Sequence, residues 1–129
     1  MVIRLAMEIQ FHNVSKRFGD LIVLDDVSFT IALGETTAII GPSGAGKSVM
    51  LKHIVGLLHP DSGHVTVDGL NISTASSTEL SSIRKRMGML FQDGALFDSM
   101  STGDNIAFPL RHHSKQSPKQ IRDRVEECL

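Results

Sequence analysis

The sequence has a single cysteine, Cys128, among its 129 residues, and it has no long hydrophobic run. One cysteine excludes an internal disulfide bond and favours a reducing compartment. The longest apolar runs, such as Ala38–Ile40 and Ile54–Leu58, are far shorter than the roughly 20 residues that a membrane-spanning helix needs. The start of the chain has too short an apolar stretch for a signal peptide, so we expect a cytoplasmic protein with residues 1–6 as a disordered extension.

An excess of charge of one sign is also missing. Thirteen lysines and arginines face fourteen aspartates and glutamates, which gives a formal net charge of -1. This balance provides no global attraction to nucleic acid or to an anionic membrane, so no nucleic-acid partner is predicted and any anion site must be local. The apolar share of 41% and the charged share of 21% are typical of one soluble globular domain.

Hydrophobic patterning predicts several strands in the first half of the chain. Residues 7–12 and 22–31 alternate apolar and polar side chains, which favours half-buried strands with a polar turn over residues 13–20 between them. Thr36–Ile40 is a β-branched run that indicates a fully buried strand. His64–Asp68 alternates again and is predicted as a further strand.

The later pattern mixes helices with one more strand. Gly46–Leu58 carries its apolar residues on one helical stripe, with His53 on or near the polar side. Met87–Phe91 is a short apolar run that predicts a strand. His112 and His113 are placed in a polar linker, and no spacing among the six histidines indicates a metal site. The order of elements favours an α/β domain carrying an antiparallel layer.

Three serines are predicted to begin helices. Ser76, followed three residues later by Glu79, forms a capping box, and Ser101 and Ser117 carry similar start signals. The basic run Arg84–Arg86 is interpreted as a solvated helix face, with structural pairing near the Q-loop as the alternative.

A glycine-rich segment separates an apolar run from the first predicted helix. Residues 41–48 fit the pattern GxxxxGK[ST], in which glycines let backbone N–H groups converge on a polyphosphate at a helix N-terminus. Lys47 is placed to reach the β- and γ-phosphates, and the Ser48 hydroxyl is placed to ligate Mg²⁺. The alternative is a glycine-rich turn that only connects a strand to a helix. The candidate nucleotide-binding residues in this segment are Gly41, Pro42, Ser43, Gly44, Ala45, Gly46, Lys47, Ser48 and Val49.

The chain resembles the ATP-binding subunits of ABC transporters over nearly all its length, in residues 11–48, 59–72 and 84–111. The resemblance implies that Phe18 stacks on the adenine ring of ATP, with burial in the core as the alternative for this phenylalanine. It also implies that Gln92 is the Q-loop glutamine, beside Mg²⁺ or the attacking water. The candidate catalytic residues are thus Lys47 and Gln92, and the candidate Mg²⁺ ligands are Ser48 and Gln92.

A narrower resemblance lies around the Q-loop. The segment MLFQDGALFDSM, followed by NIAFPLR, is similar to the ATPases of the MCE or Mla type, which drive phospholipid transport across the Gram-negative envelope. In that family the residues after the Q-loop face an integral-membrane permease, which implies a position on the inner face of the cell membrane. Phe91, Leu96, Phe97 and Met100 are therefore candidates for the docking groove, with burial inside this subunit as the alternative.

The resemblance implies an α/β fold with a P-loop NTPase core of the ABC type, of which this chain is the N-terminal half. Residues 1–35 and 60–75 would form the antiparallel β layer, and 36–58 the phosphate-loop strand and helix. Residues 76–100 would form the Q-loop region, and 101–129 the start of a helical subdomain. The signature loop, the Asp-Glu strand end and the switch histidine of the family are not found in the sequence.

The intact protein is therefore expected to hydrolyse ATP as a homodimer bound to its permease, whereas this chain is expected to bind nucleotide without efficient hydrolysis. The strands Thr36–Ile40 and Met87–Phe91 would keep open edges, which predicts strand-swapped self-association between copies. Two other functions are kept as alternatives, a non-catalytic nucleotide-binding module and a P-loop small-molecule kinase.

Overall fold

A computed structural model describes residues 2–4, 7–91 and 94–129, in two compact units, Met1–Gly88 and Met89–Leu129. The elements in chain order are β1 (Val2–Arg4), β2 (Ile9–Phe18), β3 (Leu21–Ile31), β4 (Thr36–Ala38), α1 (Lys47–Ile54), β5 (Ser62–Val67), β6 (Leu70–Asn71), α2 (Ser77–Lys85), α3 (Thr102–His113) and α4 (Pro118–Cys128). Within these ranges no helix has both the length and the apolar character needed to cross a membrane. The predicted division into four functional regions stays a prediction.

The first unit is built on a four-stranded antiparallel sheet with the order β3-β2-β5-β6. Successive side chains of a strand point to opposite faces, so every second residue of β2 and β5 enters the core. Ile9, Phe11, Val65 and Val67 are each at most 2% exposed. The predicted antiparallel layer is therefore confirmed, and its apolar face forms the core of this unit.

Strand β2 is longer than the sequence pattern predicts. The predicted turn over residues 13–20 is wrong, because the strand continues to Phe18 and only Gly19 and Asp20 form the turn. The ladder between β2 and β3 shifts register on either side of Val14. Asn13 adopts a φ of 49°, and its side-chain N–H donates to the Asp26 carboxylate over 2.9 Å. These irregularities allow a polar segment to remain part of the strand. The alternation of apolar and polar residues does not predict them.

The strands predicted at Thr36–Ile40 and Met87–Phe91 are not formed as expected. Among the described residues, Thr36–Ile40 is reduced to β4, which pairs only with β1, and Ile40 is 92% exposed. Val2–Arg4 therefore forms a strand, so a disordered extension is the wrong description of these residues. Met87–Phe91 belongs to neither sheet of the described residues. A strand needs a neighbouring backbone on which to pair, and an apolar run alone does not supply one.

Helix α1 is shorter than predicted and buries an unexpected side chain. It ends at Ile54 instead of Leu58, because Gly56 takes a left-handed φ of 67° that stops the helix. His53 was predicted on the polar side but is only 1% exposed. Its Nδ1–H donates to the Val49 carbonyl over 2.7 Å, whereas the buried Nε2 has no hydrogen-bond partner among the described residues.

The basic run at the end of α2 is paired rather than simply solvated. The Arg84 guanidinium donates to the carbonyls of Val55 and Gly56 at 2.8 and 3.0 Å. These are carbonyls that the end of α1 leaves without helical partners. Arg86 forms an ion pair of 2.7 Å with Asp68. Both arginines are therefore structurally paired, with partners at the end of α1 and directly after β5.

The three predicted helix starts are confirmed. The hydroxyls of Ser76, Ser101 and Ser117 each accept a hydrogen bond from the backbone N–H three residues later. Helix α3 continues through His112 and His113, so the prediction of a linker there is wrong. Basic side chains suit the last turn of a helix, where the helix dipole is negative.

Candidate nucleotide-binding site

The segment between β4 and α1 presents backbone donors at a helix N-terminus. Gly46 is the N-cap of α1 and makes no side-chain cap, and the first turn contains no acidic residue. The N–H groups of Lys47, Ser48 and Val49 therefore have no acceptor within the helix, and the positive end of the helix dipole adds to them. The site can accordingly bind an anion through main-chain groups.

Two glycines of this segment share one backbone conformation but differ in their surroundings. Gly44 and Gly46 both have a φ of 82°. A Cβ atom at Gly46 would lie 2.9 Å from the carbonyl oxygen of Val23 and 3.2 Å from Cδ2 of Leu24, whereas one at Gly44 would meet no atom within 4 Å. Gly46 thus lets the segment sit directly on β3, and Gly44 leaves space open beside it.

The Lys47 ammonium lies against the segment itself. Its Nζ donates to the carbonyl oxygens of Gly41 and Pro42 at 2.8 and 2.6 Å. The next residue, Ser48, is exposed and carries a hydroxyl oxygen. An ammonium, a hydroxyl and a row of N–H groups fit a polyphosphate, and phosphate oxygens with one hydroxyl fit the oxygen ligands that Mg²⁺ prefers.

Phe18 ends β2 at the same end of the sheet as the glycine-rich segment. Its ring is 46% exposed, so the alternative of burial in the core is wrong. Phe18 pairs with Leu21 on β3, and Leu24, three residues further along β3, is the residue that approaches Gly46. Three residues of strand span about 10 Å. An exposed aromatic ring and the anion site therefore share one edge of the unit.

The remaining candidates lie around the Q-loop. Gln92 is outside the described residues, so its predicted place beside Mg²⁺ stays a prediction. The side chains of Phe91, Leu96, Phe97 and Met100 are between 36% and 69% exposed, so burial inside this chain does not explain them. Docking to a permease stays a prediction for these four residues.

Two side chains beside Phe18 were not among the candidates. Lys16 Nζ donates to Asp61 Oδ1 over 2.7 Å and lies 5.7 Å from the centroid of the Phe18 ring. The hydrogen bond from Lys16 lowers the pKa of the Asp61 carboxyl, and the hydrogen bond from the Arg17 N–H lowers it further by a smaller amount. Forty-five positions separate Lys16 from Asp61, so no local sequence pattern signals this contact.

Comparison with known proteins relates the whole arrangement to one family. Residues 24–129 match the family model described as ABC transporter. The probable ribonucleotide transport ATP-binding protein mkl of Mycobacterium tuberculosis is 47% identical over 125 residues, which cover 97% of this chain and 35% of the relative. The intermembrane phospholipid transport system ATP-binding protein MlaF of Haemophilus influenzae is 45% identical over 117 residues, which cover 91% of this chain and 44% of MlaF.

Solved structures agree with the sequence comparison. The ATP-binding cassette MJ0796, in a dimeric post-hydrolysis state bound to ADP and Pi, superposes with a TM-score of 0.81 and 33% identity. The match covers 93% of this chain and 55% of that cassette. The predicted α/β fold, a partial P-loop NTPase core of the ABC type, is thereby confirmed, and the chain spans less than half the length of these two curated relatives. The chain belongs to the ABC transporter family.

Proposed function

We propose that this chain binds ATP with Mg²⁺ through residues 41–48, as part of the ATP-binding subunit of an ABC transporter. The observation that carries the proposal is the N-terminus of α1, which begins with Lys47 and Ser48, has no side-chain cap and has no acidic residue in its first turn. The backbone N–H donors at the start of α1 are already in place, so they bind polyphosphate without having to reorganise first.

Each group in the site has a separate task in this proposal. The N–H groups at the start of α1 bind phosphate oxygens, and Ser48 offers its oxygen to the metal. Lys47 gives up the Gly41 and Pro42 carbonyls and donates to the β- and γ-phosphates instead. Phe18 stacks on the adenine ring. Bound Mg²⁺ would neutralise charge on the phosphates, and Gln92 would offer its side-chain oxygen to the metal or to the attacking water.

For the whole protein we propose that ATP hydrolysis powers transport of phospholipid or related hydrophobic compounds. Two such subunits would form a homodimer on an integral-membrane permease at the inner face of the cell membrane. The similarity to MlaF supports a lipid cargo, whereas the name of mkl indicates ribonucleotide. The complex that copurifies with the full-length protein, reconstituted in vesicles, distinguishes the two cargoes. ATP-dependent transfer of labelled phospholipid supports the proposal, and transfer of labelled ribonucleotide alone contradicts it.

Nucleotide binding is tested by calorimetric titration of the chain with Mg-ATP. Charge-assisted hydrogen bonds contribute about 1.5–3 kcal/mol, so Lys47→Ala should weaken binding by roughly 10- to 150-fold. Lys52→Ala is the matched control, because Lys52 is exposed on the same helix and is not a candidate site residue. A Lys47→Ala variant that binds Mg-ATP as tightly as the Lys52→Ala variant contradicts the assignment.

We further propose that the 129-residue chain binds nucleotide without efficient hydrolysis. The first turn of α1 has no carboxylate that could polarise a water beside the phosphates. Steady-state phosphate release from Mg-ATP should therefore stay near the uncatalysed background. Rapid release that depends on Lys47 contradicts this part, and transfer of phosphate to an added small-molecule acceptor favours a kinase instead.

A further inference from the structure

Asp61 holds the last residues of β2 through three hydrogen bonds. Its backbone N–H donates to the Ser15 carbonyl over 2.9 Å. Its two carboxylate oxygens accept from the Lys16 ammonium and from the Arg17 N–H, each over 2.7 Å. Phe18 is the next residue, so the clip formed by Asp61 and Lys16 fixes the backbone from which the exposed ring projects.

Lys16 is the more buried member of this clip. Its side chain is 15% exposed, whereas that of Asp61 is 46% exposed. The ammonium lies over the Phe18 ring at 5.7 Å from the centroid, within the range of a cation–π contact. Because the ammonium occupies one face of the ring, the other face is the one left for a planar ligand.

The position of Phe18 makes this clip relevant to binding. The ring ends a strand immediately before the turn at Gly19 and Asp20 and is almost half exposed. An exposed aromatic side chain loses rotamer freedom when a base stacks on it, and this loss weakens binding. A ring that is already held by its backbone and by a cation loses less freedom.

We propose that Lys16 and Asp61 are positioning residues, which hold the Phe18 ring for stacking on adenine and so make the site prefer a nucleotide to a bare polyphosphate. This proposal rests on the proposed function. It explains why the site would prefer a ligand that has a base. Neither residue needs to contact the phosphates.

The test compares the affinities for Mg-ATP and for magnesium tripolyphosphate, which lacks a base. Asp61→Asn should weaken ATP binding by about 2- to 10-fold, the equivalent of ordering one side chain. Tripolyphosphate should bind as tightly as before or slightly more tightly, because a negative charge has been removed. A general electrostatic effect would change both affinities in the same direction, so the ratio of the two affinities isolates the role of the ring.

Asp68→Asn is a matched control at the opposite end of β5. Asp68 also accepts from one backbone N–H, that of Glu8 at 3.0 Å, and from one basic side chain, that of Arg86 at 2.7 Å. Its replacement should leave the ratio of ATP to tripolyphosphate affinity unchanged. Lys16→Met is the second variant, which keeps the apolar stem, removes the ammonium and should lower the same ratio.

The outcomes separate this proposal from the nucleotide site itself. A lower ratio in Asp61→Asn and Lys16→Met, but not in Asp68→Asn, supports it. An unchanged ratio in Asp61→Asn with a parental melting temperature overturns it, and if that variant does not fold, the ratio in Lys16→Met decides. If Lys16→Met weakens both ligands equally, Lys16 acts on the phosphates through its charge and not on the ring, and the proposal falls. If the unsubstituted chain binds Mg-ATP and magnesium tripolyphosphate equally well, this proposal is wrong but the phosphate site is still supported. If it binds neither ligand, this proposal and the proposed nucleotide site are both wrong.

Discussion

Replacing Gly46 with alanine tests whether the phosphate-binding segment is built directly against β3. The φ of 82° costs about 1–2 kcal/mol for a residue with a Cβ atom. That atom would also lie 2.9 Å from the Val23 carbonyl oxygen and 3.0 Å from its Cγ1. Because the nearer atom is backbone, the strand has to shift, and overpacking of this kind costs typically about 1–3 kcal/mol. We therefore expect Gly46→Ala to lower the free energy of unfolding by about 2–5 kcal/mol.

Gly44→Ala is the control, since Gly44 has the same φ and open space around it. Gly44→Ala should lower the free energy of unfolding only by the cost of the left-handed backbone conformation, about 1–2 kcal/mol. Urea denaturation followed by far-ultraviolet circular dichroism measures both values, because the chain has no tryptophan or tyrosine for intrinsic fluorescence. Equal losses for the two variants would refute the inference that Gly46 is required by its contact with β3.

Three further predictions concern the rest of the chain. Ser76→Ala should lower the free energy of unfolding by about 1 kcal/mol through loss of the cap, with Ser77→Ala as the neutral control, and equal effects in thermal melts would contradict the cap. The hydrogen bond from Ser101 lowers the pKa of the Asp104 carboxyl. The ionised carboxylate therefore stabilises the folded chain above the ordinary pKa of 3.8, and this stabilisation is lost as the pH falls through the lowered pKa. A nuclear magnetic resonance titration of Asp104 that gives an ordinary or raised pKa would count against this. The exposed edge of β4 should cause concentration-dependent self-association, and a strictly monomeric chain in sedimentation at all concentrations would exclude it.

The helix starts could be predicted from the sequence because their causes are local. Ser76, Ser101 and Ser117 each bond to the backbone only three residues away. The identity of the side chain and the spacing to the next acidic or amide residue therefore contain nearly all the information needed.

The strands could be predicted only where their pairing partners lie within the described sheet. Thr36–Ile40 and Met87–Phe91 have the composition of buried strands, but pairing depends on a distant backbone that composition does not specify. The burial of His53 was not predicted either, because the apolar pattern does not signal the hydrogen bond from its ring to the Val49 carbonyl. In each case the outcome depended on the presence or absence of a contact that the local pattern does not specify.

The candidate site also contains one part that could be predicted from the sequence and one part that could not. Residues 41–48 could be identified because a phosphate loop needs glycine, lysine and serine at fixed spacing. The exposure of Phe18 did not follow from the sequence, and neither did the contact between Lys16 and Asp61. Both depend on how β2 ends against the segment after α1.

The most direct test of the nucleotide site is a titration of the ¹⁵N-labelled chain with Mg-ATP, followed amide by amide. We expect the largest shifts at the N–H groups of Gly44 through Ser48, since these would bind the phosphate oxygens. No shift at millimolar Mg-ATP in folded protein, or shifts confined to residues away from this segment, would contradict the proposed site.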